Sequence, residues 1–206
     1  MGRPLLSVPV AALAALSWVA WTGPAVAVPL ATGDLIPRID LQMLDAHGKL
    51  ASIDNFRGDS GTMVVFASNS CSSSTQWEGR IAALALRYQE QLVMTVLVSS
   101  NDPTISPEDG SAGIREISQR LGARLFFLAD DTSAIARAFG ATRNPEVFLF
   151  SGQGKLVYHG AVDDNAGDPD QVTEPFLEDA LEALVTGRPL PVPETQPVGC
   201  PIRFRE

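Results

Sequence analysis

The sequence predicts an α/β fold in which a mixed central sheet is flanked by helices. Two patterns carry this prediction. Short apolar runs alternate with segments of helical periodicity through the middle of the chain, and two further apolar runs divided by a Gly-bearing turn follow them. Alternating strands and helices followed by an antiparallel hairpin are typical of a mixed sheet covered on both faces. Of the 206 residues, 45% are hydrophobic and 19% are charged, which suits one globular domain with a buried core.

The first 27 residues have the form of a secretory signal peptide. A short positive start that includes Arg3 precedes an apolar run over 8–21, and residues 25–27 read Ala-Val-Ala, the small-x-small pattern of a cleavage site. The apolar run is too short to favour a membrane span. We therefore expect an exported protein, periplasmic or extracellular, without stable membrane insertion after cleavage. The expected mature chain consists of a domain at 28–188 and an extended Pro-rich tail at 189–206.

The chain is acidic, with 24 Asp and Glu against 15 Lys and Arg and a formal net charge of −9. This excess of negative charge argues against nucleic acid or an anionic membrane surface as a partner. The chain has two cysteines, Cys71 and Cys200. In an exported protein such a pair is consistent with a structural disulfide, a redox couple or two free thiols, and the sequence does not choose among them.

The mature chain begins with a predicted β-hairpin. A Gly-bearing turn at 45–48 divides short apolar runs at 39–44 and 50–53, which is the pattern of two antiparallel strands. The segment 62–66, which is apolar throughout after Thr62, then predicts the first core strand, buried on both faces.

A long amphipathic helix is expected after Cys71, running to about Leu92, and residues 91–98 predict a second buried strand. Side chains at helical spacing are expected to face the core: Ile81, Leu84, Ala85 and Tyr88. The charged side chains of the same helix are expected to face water: Arg80, Arg87 and Glu90.

The next segments alternate loop, helix and strand. Residues 101–113 are rich in Pro, Gly and Asp and predict a loop long enough to act as a lid or specificity loop. A helix is expected at 114–121 with Gly122 as its C-cap, followed by a short strand at 125–128.

The pattern then predicts a short helix and a second hairpin. Residues 131–133 offer capping side chains for a helix at 134–139, which Gly140 ends. Apolar runs at 146–150 and 156–159 are joined by a Gly-rich turn and predict the hairpin.

The C-terminal part is predicted to hold a solvated acidic loop at 163–170, a final helix at 175–185 and an extended tail. The spacing of the acidic residues does not match a calcium-binding EF-hand loop. The two histidines, His47 and His159, lie in separate hairpins without a cysteine at metal-site spacing, so we expect no zinc site.

Cys71 is the leading candidate for chemistry because it stands where the first core strand gives way to the helix. A polar turn at 67–70 precedes it, and residues 72–75 offer side chains that cap a helix. Unpaired N–H groups and the helix dipole favour negative charge in a first turn, and they lower the pKa of a thiol placed there. The sequence therefore predicts a redox-active thiol; the alternatives are a buried inert cysteine or half of a structural disulfide.

The order and spacing of the elements resemble the thioredoxin fold, and more closely the peroxiredoxin-like redoxins of the AhpC/TSA superfamily. The resemblance covers about residues 33–206. The segments that carry it are Leu44-Asp-Ala-His-Gly-Lys49 with Phe56-Arg-Gly58, Val65-Phe-Ala-Ser-Asn-Ser-Cys71, Asn144-Pro-Glu-Val-Phe-Leu-Phe150, Gly154-Lys-Leu-Val-Tyr158, Pro191-Val-Pro-Glu-Thr and Gly199-Cys-Pro-Ile-Arg. The resemblance implies a thioredoxin-like fold and a thiol-dependent oxidoreductase or antioxidant.

One departure from the thioredoxin pattern limits the chemistry. Ser68 stands where the Cys-x-x-Cys pair of thioredoxins has its first cysteine. A hydroxyl cannot replace a low-pKa thiolate in disulfide exchange, so ordinary dithiol cycling at this turn is excluded. Ser68-x-x-Cys71 is instead similar to the Thr-x-x-Cys of peroxiredoxins, whose cysteine attacks peroxide.

The resemblance implies further site residues. Cys200 is expected to resolve the oxidised form of Cys71, or else to form a permanent clip with it. Ser68 is expected to hydrogen-bond the thiolate, or else only to fill the turn. Pro145 corresponds to the thioredoxin cis-Pro, at a position where peroxiredoxins usually carry Arg, or else it is an ordinary loop proline. Arg143 is the candidate cation beside the sulfur, or else a surface arginine.

The expected activity is reduction of hydroperoxides by Cys71 or its exchange with disulfides, that is, a thiol peroxidase or thiol-disulfide oxidoreductase. The expected partners are a hydroperoxide or disulfide substrate and a thiol reductant, and no metal or organic cofactor is needed. The alternative is a non-catalytic thioredoxin-fold binding or assembly module in which Cys71 is inert or held in a structural disulfide.

Overall fold

A computed structural model describes residues 30–122 and 125–206. The predicted signal peptide at 1–27 lies outside the described residues. The helices and strands are, in chain order, β1 (Met43–Asp45), β2 (Leu50–Ala51), β3 (Gly61–Phe66), α1 (Ser72–Gln89), β4 (Val93–Ser99), α2 (Ser111–Leu121), β5 (Phe126–Ala129), α3 (Ala134–Phe139), β6 (Arg143–Asn144), β7 (Glu146–Ser151), β8 (Leu156–Gly160), α4 (Phe176–Thr186) and β9 (Cys200–Pro201).

The central sheet has the strand order β2-β1-β5-β4-β3-β7-β8. β3 pairs parallel with β4 and antiparallel with β7, and β4 pairs parallel with β5. The hairpins β1–β2 and β7–β8 are antiparallel. This is the mixed sheet with an N-terminal hairpin that the sequence predicts, and its topology is thioredoxin-like.

Strand β3 lies inside the sheet, between β4 and β7, and all of its residues are buried. Its side chains alternate between the two faces of the sheet. Met63 and Val65 pack with apolar side chains of α1 and α4, among them Trp77, Ile81, Leu177 and Leu181. Val64 and Phe66 pack on the opposite face with Ile53, Ile135, Phe139 and Phe148. The four residues 63–66 are therefore all apolar, because both faces of the sheet are covered.

Several predicted element ends are wrong for local reasons. Helix α1 ends at Gln89 rather than near Leu92, which adopts a positive φ of 63° in the turn before β4 and is 53% exposed. Helix α2 begins at Ser111 rather than at Ile114, so the loop before it is shorter than predicted. Strand β1 is confined to Met43–Asp45.

The acidic loop at 163–170 is not solvated throughout, contrary to the prediction. Asp163 is only 5% exposed, accepts a hydrogen bond from Nε1 of Trp77 at 2.7 Å and forms an ion pair with Arg80. Arg80 also donates to the carbonyl oxygens of Asn165 and Ala166. Arg80 therefore holds the loop against α1 instead of facing water. Trp77 packs in the core, and its one polar atom is hydrogen-bonded to Asp163.

Within the part of the chain that the structure describes, no helix is both long enough and apolar enough to cross a membrane.

Candidate active site

The two cysteines meet and are joined by a disulfide bond between Cys71 and Cys200. Cys71 directly precedes α1 at the carboxyl end of β3, and Cys200 opens β9. Strand β6 brings them together, because Asn144 pairs antiparallel with Cys200. The structure shows the disulfide state, so two free thiols are excluded in this form. A redox couple and a structural clip are both consistent with it.

Cys71 itself caps α1, in place of the serines and threonine at 72–75 that the sequence suggested. Its Sγ accepts a hydrogen bond from the N–H of Ser74 at 3.4 Å and lies 3.1 Å from the carbonyl oxygen of Asn144. The N–H is one of the unpaired donors of the first helical turn, so it favours negative charge on this sulfur. The carbonyl oxygen can accept a hydrogen bond from this sulfur only when the sulfur is protonated as a thiol. The sulfur therefore has one partner suited to its thiolate and one suited to its thiol.

The two sulfur-bearing residues differ in access to solvent. Cys71 is 1% exposed, whereas Cys200 is half-buried. A reagent that approaches from solvent therefore meets Cys200 first.

The residues of the β6 segment lie beside the disulfide. The Asn144–Pro145 peptide bond is cis, as the resemblance implies, and Pro145 is buried. Arg143 is exposed, and its Nη1 donates to the carbonyl oxygen of Gly199 at 3.1 Å. Its guanidinium thus contacts the residue that precedes Cys200.

Ser68 lies in the turn before Cys71, but its hydroxyl points to a carboxylate. It donates to Oδ2 of Asp109 at 2.9 Å, and the hydroxyl of Ser70 donates to the same oxygen at 2.6 Å. The N–H of Asn69 donates to Oδ1 at 2.6 Å. Among the residues that the structure describes, the Ser68 hydroxyl forms no hydrogen bond to Sγ of Cys71 in the disulfide state.

Sequence reasoning missed the buried polar residues that surround this turn. Asp109 and Asn101 lie in the loop after β4, which the sequence suggested only as a lid. They reach the turn before Cys71 because β3 and β4 are parallel, with Phe66 opposite Val98, so that their carboxyl ends lie side by side. The polar composition of a loop that follows a neighbouring parallel strand was the one available signal.

Glu146 shapes the segment that receives Cys200. Its buried carboxylate accepts hydrogen bonds through Oε2 from the N–H groups of Thr142 at 2.7 Å and Arg143 at 2.8 Å. Its Oε1 lies 2.7 Å from Nε2 of His159. These contacts hold the backbone of β6 in the orientation that pairs with β9.

The sequence matches the protein family described as Redoxin over residues 31–181. This range includes Ser68, Cys71, Arg143 and Pro145, whereas Cys200 lies beyond it. No curated protein matches the sequence.

Solved structures share the fold. An uncharacterised conserved protein from Geobacillus kaustophilus is similar with a TM-score of 0.78 and 27% identity, covering 85% of this chain and 93% of that one. A hypothetical protein from Sinorhizobium meliloti 1021 gives 0.78 and 27%, covering 86% and 97%. Peroxidoxin BcpB from Mycobacterium tuberculosis gives 0.58 and 15%, covering 76% and 97%, a likeness of fold alone.

Proposed function

This chain belongs to the Redoxin family, and we propose that it is a thiol-dependent oxidoreductase whose redox centre is the Cys71–Cys200 pair. Family membership supports thiol chemistry in general. The observation that supports the specific proposal is the disulfide between a helix-capping cysteine and a cysteine of the tail. In the proposed cycle a hydroperoxide or a disulfide oxidises the pair, and a thiol reduces it.

Cys71 is the proposed nucleophile of the oxidising half-reaction. The Ser74 N–H and the first turn of α1 stabilise its thiolate. The thiolate attacks an oxygen of the hydroperoxide, the O–O bond breaks, water or an alcohol leaves, and Cys71 becomes a sulfenic acid. The thiol of Cys200 then attacks this sulfur, water leaves, and the disulfide forms. Burial of Cys71 favours a small oxidant such as hydrogen peroxide.

Cys200 is the proposed entry point of the reducing half-reaction. An external thiolate attacks the more accessible sulfur, the S–S bond breaks, and a mixed disulfide forms on Cys200. The leaving group is then the Cys71 thiolate, which the Ser74 N–H stabilises, and a stabilised thiolate leaves faster. A second thiol of the reductant attacks the mixed disulfide and frees Cys200.

We expect glutathione to enter at Cys200. The oxidised protein is treated with reduced glutathione, quenched in acid, alkylated and mapped by peptide mass spectrometry. The species that carries one glutathione should hold it on Cys200, with the alkyl group on Cys71, in about tenfold excess over the reverse isomer. An excess of glutathione on Cys71 would show that the buried sulfur is the one attacked.

The peroxidase proposal is tested by counting thiols. After reduction with dithiothreitol and desalting, one equivalent of hydrogen peroxide should consume both thiols and restore the intramolecular disulfide, seen as the loss of two hydrogens in the intact mass. Protein alkylated before peroxide is the control and should keep its mass. Two thiols that persist after peroxide would refute the peroxidase proposal.

A second candidate function is a non-catalytic thioredoxin-fold binding or assembly module, with the disulfide as a permanent clip. The burial of Cys71 favours it, because a buried sulfur is protected from attack by an external thiol. The same preparation separates the two functions. A clip resists mild thiol reductants, whereas a redox pair opens in them and closes again with peroxide.

We propose that the protein acts after export, in the periplasm or outside the cell. This rests on the signal-peptide pattern at 1–27 and the cleavage site before Val28. An extracytoplasmic compartment is oxidising, which suits a protein whose cysteines form a disulfide.

A further inference from the structure

We propose that Asn101 is a positioning residue that keeps the Cys200 segment docked against the Cys71 turn when the disulfide opens. The inference rests on the proposed redox function and concerns what makes the pair close again efficiently.

The donor end of the Asn101 amide holds the turn before Cys71. Asn101 is 4% exposed, and its Nδ2 donates to Oδ2 of Asp109 at 2.8 Å. The same nitrogen lies 3.1 Å from the hydroxyl oxygen of Ser68. Since Asp109 also accepts from that hydroxyl, the amide, the carboxylate and the turn form one connected buried network.

The acceptor end of the same amide holds the C-terminal segment. Oδ1 of Asn101 accepts a hydrogen bond from the N–H of Arg203 at 2.8 Å, three residues after Cys200. Nδ2 of Asn144, the residue that pairs with Cys200, lies 3.4 Å from the same oxygen. One side chain therefore joins the two polypeptide segments that carry the sulfurs.

The docked segment, residues 199–205, has further contacts that survive reduction. Its Ile202 side chain is buried in the core cluster that contains Phe66 and Phe139. Its backbone also takes part in hydrogen bonds from Ile202 N–H to Thr142 O (2.9 Å), from Asp102 N–H to Arg203 O (2.7 Å) and from Arg205 N–H to Ser133 Oγ (3.0 Å).

A docked segment presents Cys200 to Cys71 at high effective concentration, because the entropy of bringing the two together is already lost on folding. Removal of the Asn101 amide leaves the Arg203 N–H and the Asn144 amide without this acceptor, which weakens docking. In the oxidised protein the disulfide still holds the segment in place. The effect of the removal should therefore appear mainly in the reduced protein.

The test is amide hydrogen exchange at Ile202 and Arg203, measured in oxidised and in dithiothreitol-reduced protein. In the wild type, protection at both should change by less than about threefold on reduction. In Asn101→Ala, exchange at Ile202, whose N–H donates to Thr142 O, should rise about tenfold or more in the reduced form and much less in the oxidised form. Exchange at Arg203 should rise in both forms, because its acceptor is removed. The effective concentration of the two thiols, measured against glutathione at equilibrium, should fall about tenfold in the variant.

Arg203→Ala is the matched control, because it keeps the N–H that Asn101 accepts and removes only a side chain whose Nη1 lies 3.3 Å from the Ser106 hydroxyl. It should behave as the wild type in exchange and in the glutathione equilibrium. The inference is overturned if reduction of the wild type alone strips protection from Ile202 and Arg203. It is also overturned if the reduced Asn101→Ala protein keeps wild-type protection at Ile202 and the wild-type glutathione equilibrium.

These measurements separate the inference from the proposed function, since none of them uses peroxide. If the segment stays docked but the thiols do not react with peroxide, only the peroxidase proposal is refuted. If peroxide forms the disulfide but the segment is not docked in the reduced protein, only this inference is refuted. The wild-type exchange experiment can overturn the inference even where a variant fails to fold.

Discussion

Cys71→Ser is expected to lower the rate of peroxide turnover with a thiol reductant by about a thousandfold or more. A hydroxyl is not ionised at neutral pH and forms neither a sulfenic acid nor a disulfide. Cys200→Ser is expected to keep the first oxidation at Cys71, because the capping N–H of Ser74 is unchanged. In that variant the sulfenic acid persists and can be trapped by a sulfenic-acid reagent, whereas in the wild type the disulfide forms instead.

The two serine variants control for each other because both remove the same disulfide. The cysteines are 129 residues apart, and the chain-entropy model assigns a cross-link over a loop of this length about 5 kcal/mol of stability. Both variants should therefore unfold at similar urea concentrations, below that of the oxidised wild type. A difference in peroxide consumption between them then reports chemistry. Activity that survives in Cys71→Ser and disappears in Cys200→Ser would assign the nucleophile to the tail.

The architecture could be predicted because its signals are local. The apolar run at 62–66, the helical spacing after Cys71 and the glycine-marked hairpins each report on adjacent residues in the chain. Their order then limits the sheet to few topologies. The element ends could not be predicted as well, since Leu92 and Ser111 are placed by turns that the periodicity does not describe.

The polar contacts could not be predicted because their partners are distant in sequence. Asp163 looks like one more residue of a solvated acidic loop until α1 places Arg80 and Trp77 against it. Asn101 and Asp109 likewise look like loop residues, and only the parallel pairing of β3 with β4 brings them to the turn before the cysteine.

The cysteine pairing depends on a strand pair too short to leave a pattern. β6 and β9 pair over two residues each, and residue 199 must be small for them to approach. A Cβ atom on Gly199 would lie 2.1 Å from the carbonyl oxygen of Asn144, so the glycine permits the contact that carries Cys200 to Cys71. The sequence contains this glycine, but its role is evident only once β6 is known to lie opposite.

Asp130 is the residue whose side chain we expect to matter most for the stability of the fold. It is 1% exposed, and its carboxylate accepts from the N–H groups that open α3, those of Ala134 at 2.9 Å and of Ile135 and Ala136 at 3.0 Å. The hydroxyl of Ser100 donates to it at 2.9 Å. The side chain that caps α3 is therefore the buried carboxylate of Asp130, which lies one residue before the predicted capping segment 131–133.

Asp130→Ala should lower the free energy of unfolding by about 3 kcal/mol, because buried donors at the start of α3 lose their acceptor. The matched control is Asp131→Ala, which removes the neighbouring carboxylate that the sequence had suggested as a cap. It should change the free energy of unfolding by less than about 0.5 kcal/mol. Urea denaturation of the oxidised proteins at pH 7 measures both, and equal losses would show that Asp130 is not the cap.

The pH dependence of the same variant tests the electrostatics of this cap. Burial raises the pKa of Asp130 above its ordinary value, and the hydrogen bonds from Ala136, Ser100, Ala134 and Ile135 oppose the rise only in part. A carboxyl with a raised pKa in the folded state costs stability as the pH rises from its unfolded pKa, about 3.9, through its folded pKa. The wild type carries this cost and Asp130→Ala does not. The stability gap between them should therefore be smaller at pH 7 than at pH 4, and a gap that widens with pH would mean that hydrogen bonding to the carboxylate outweighs its burial.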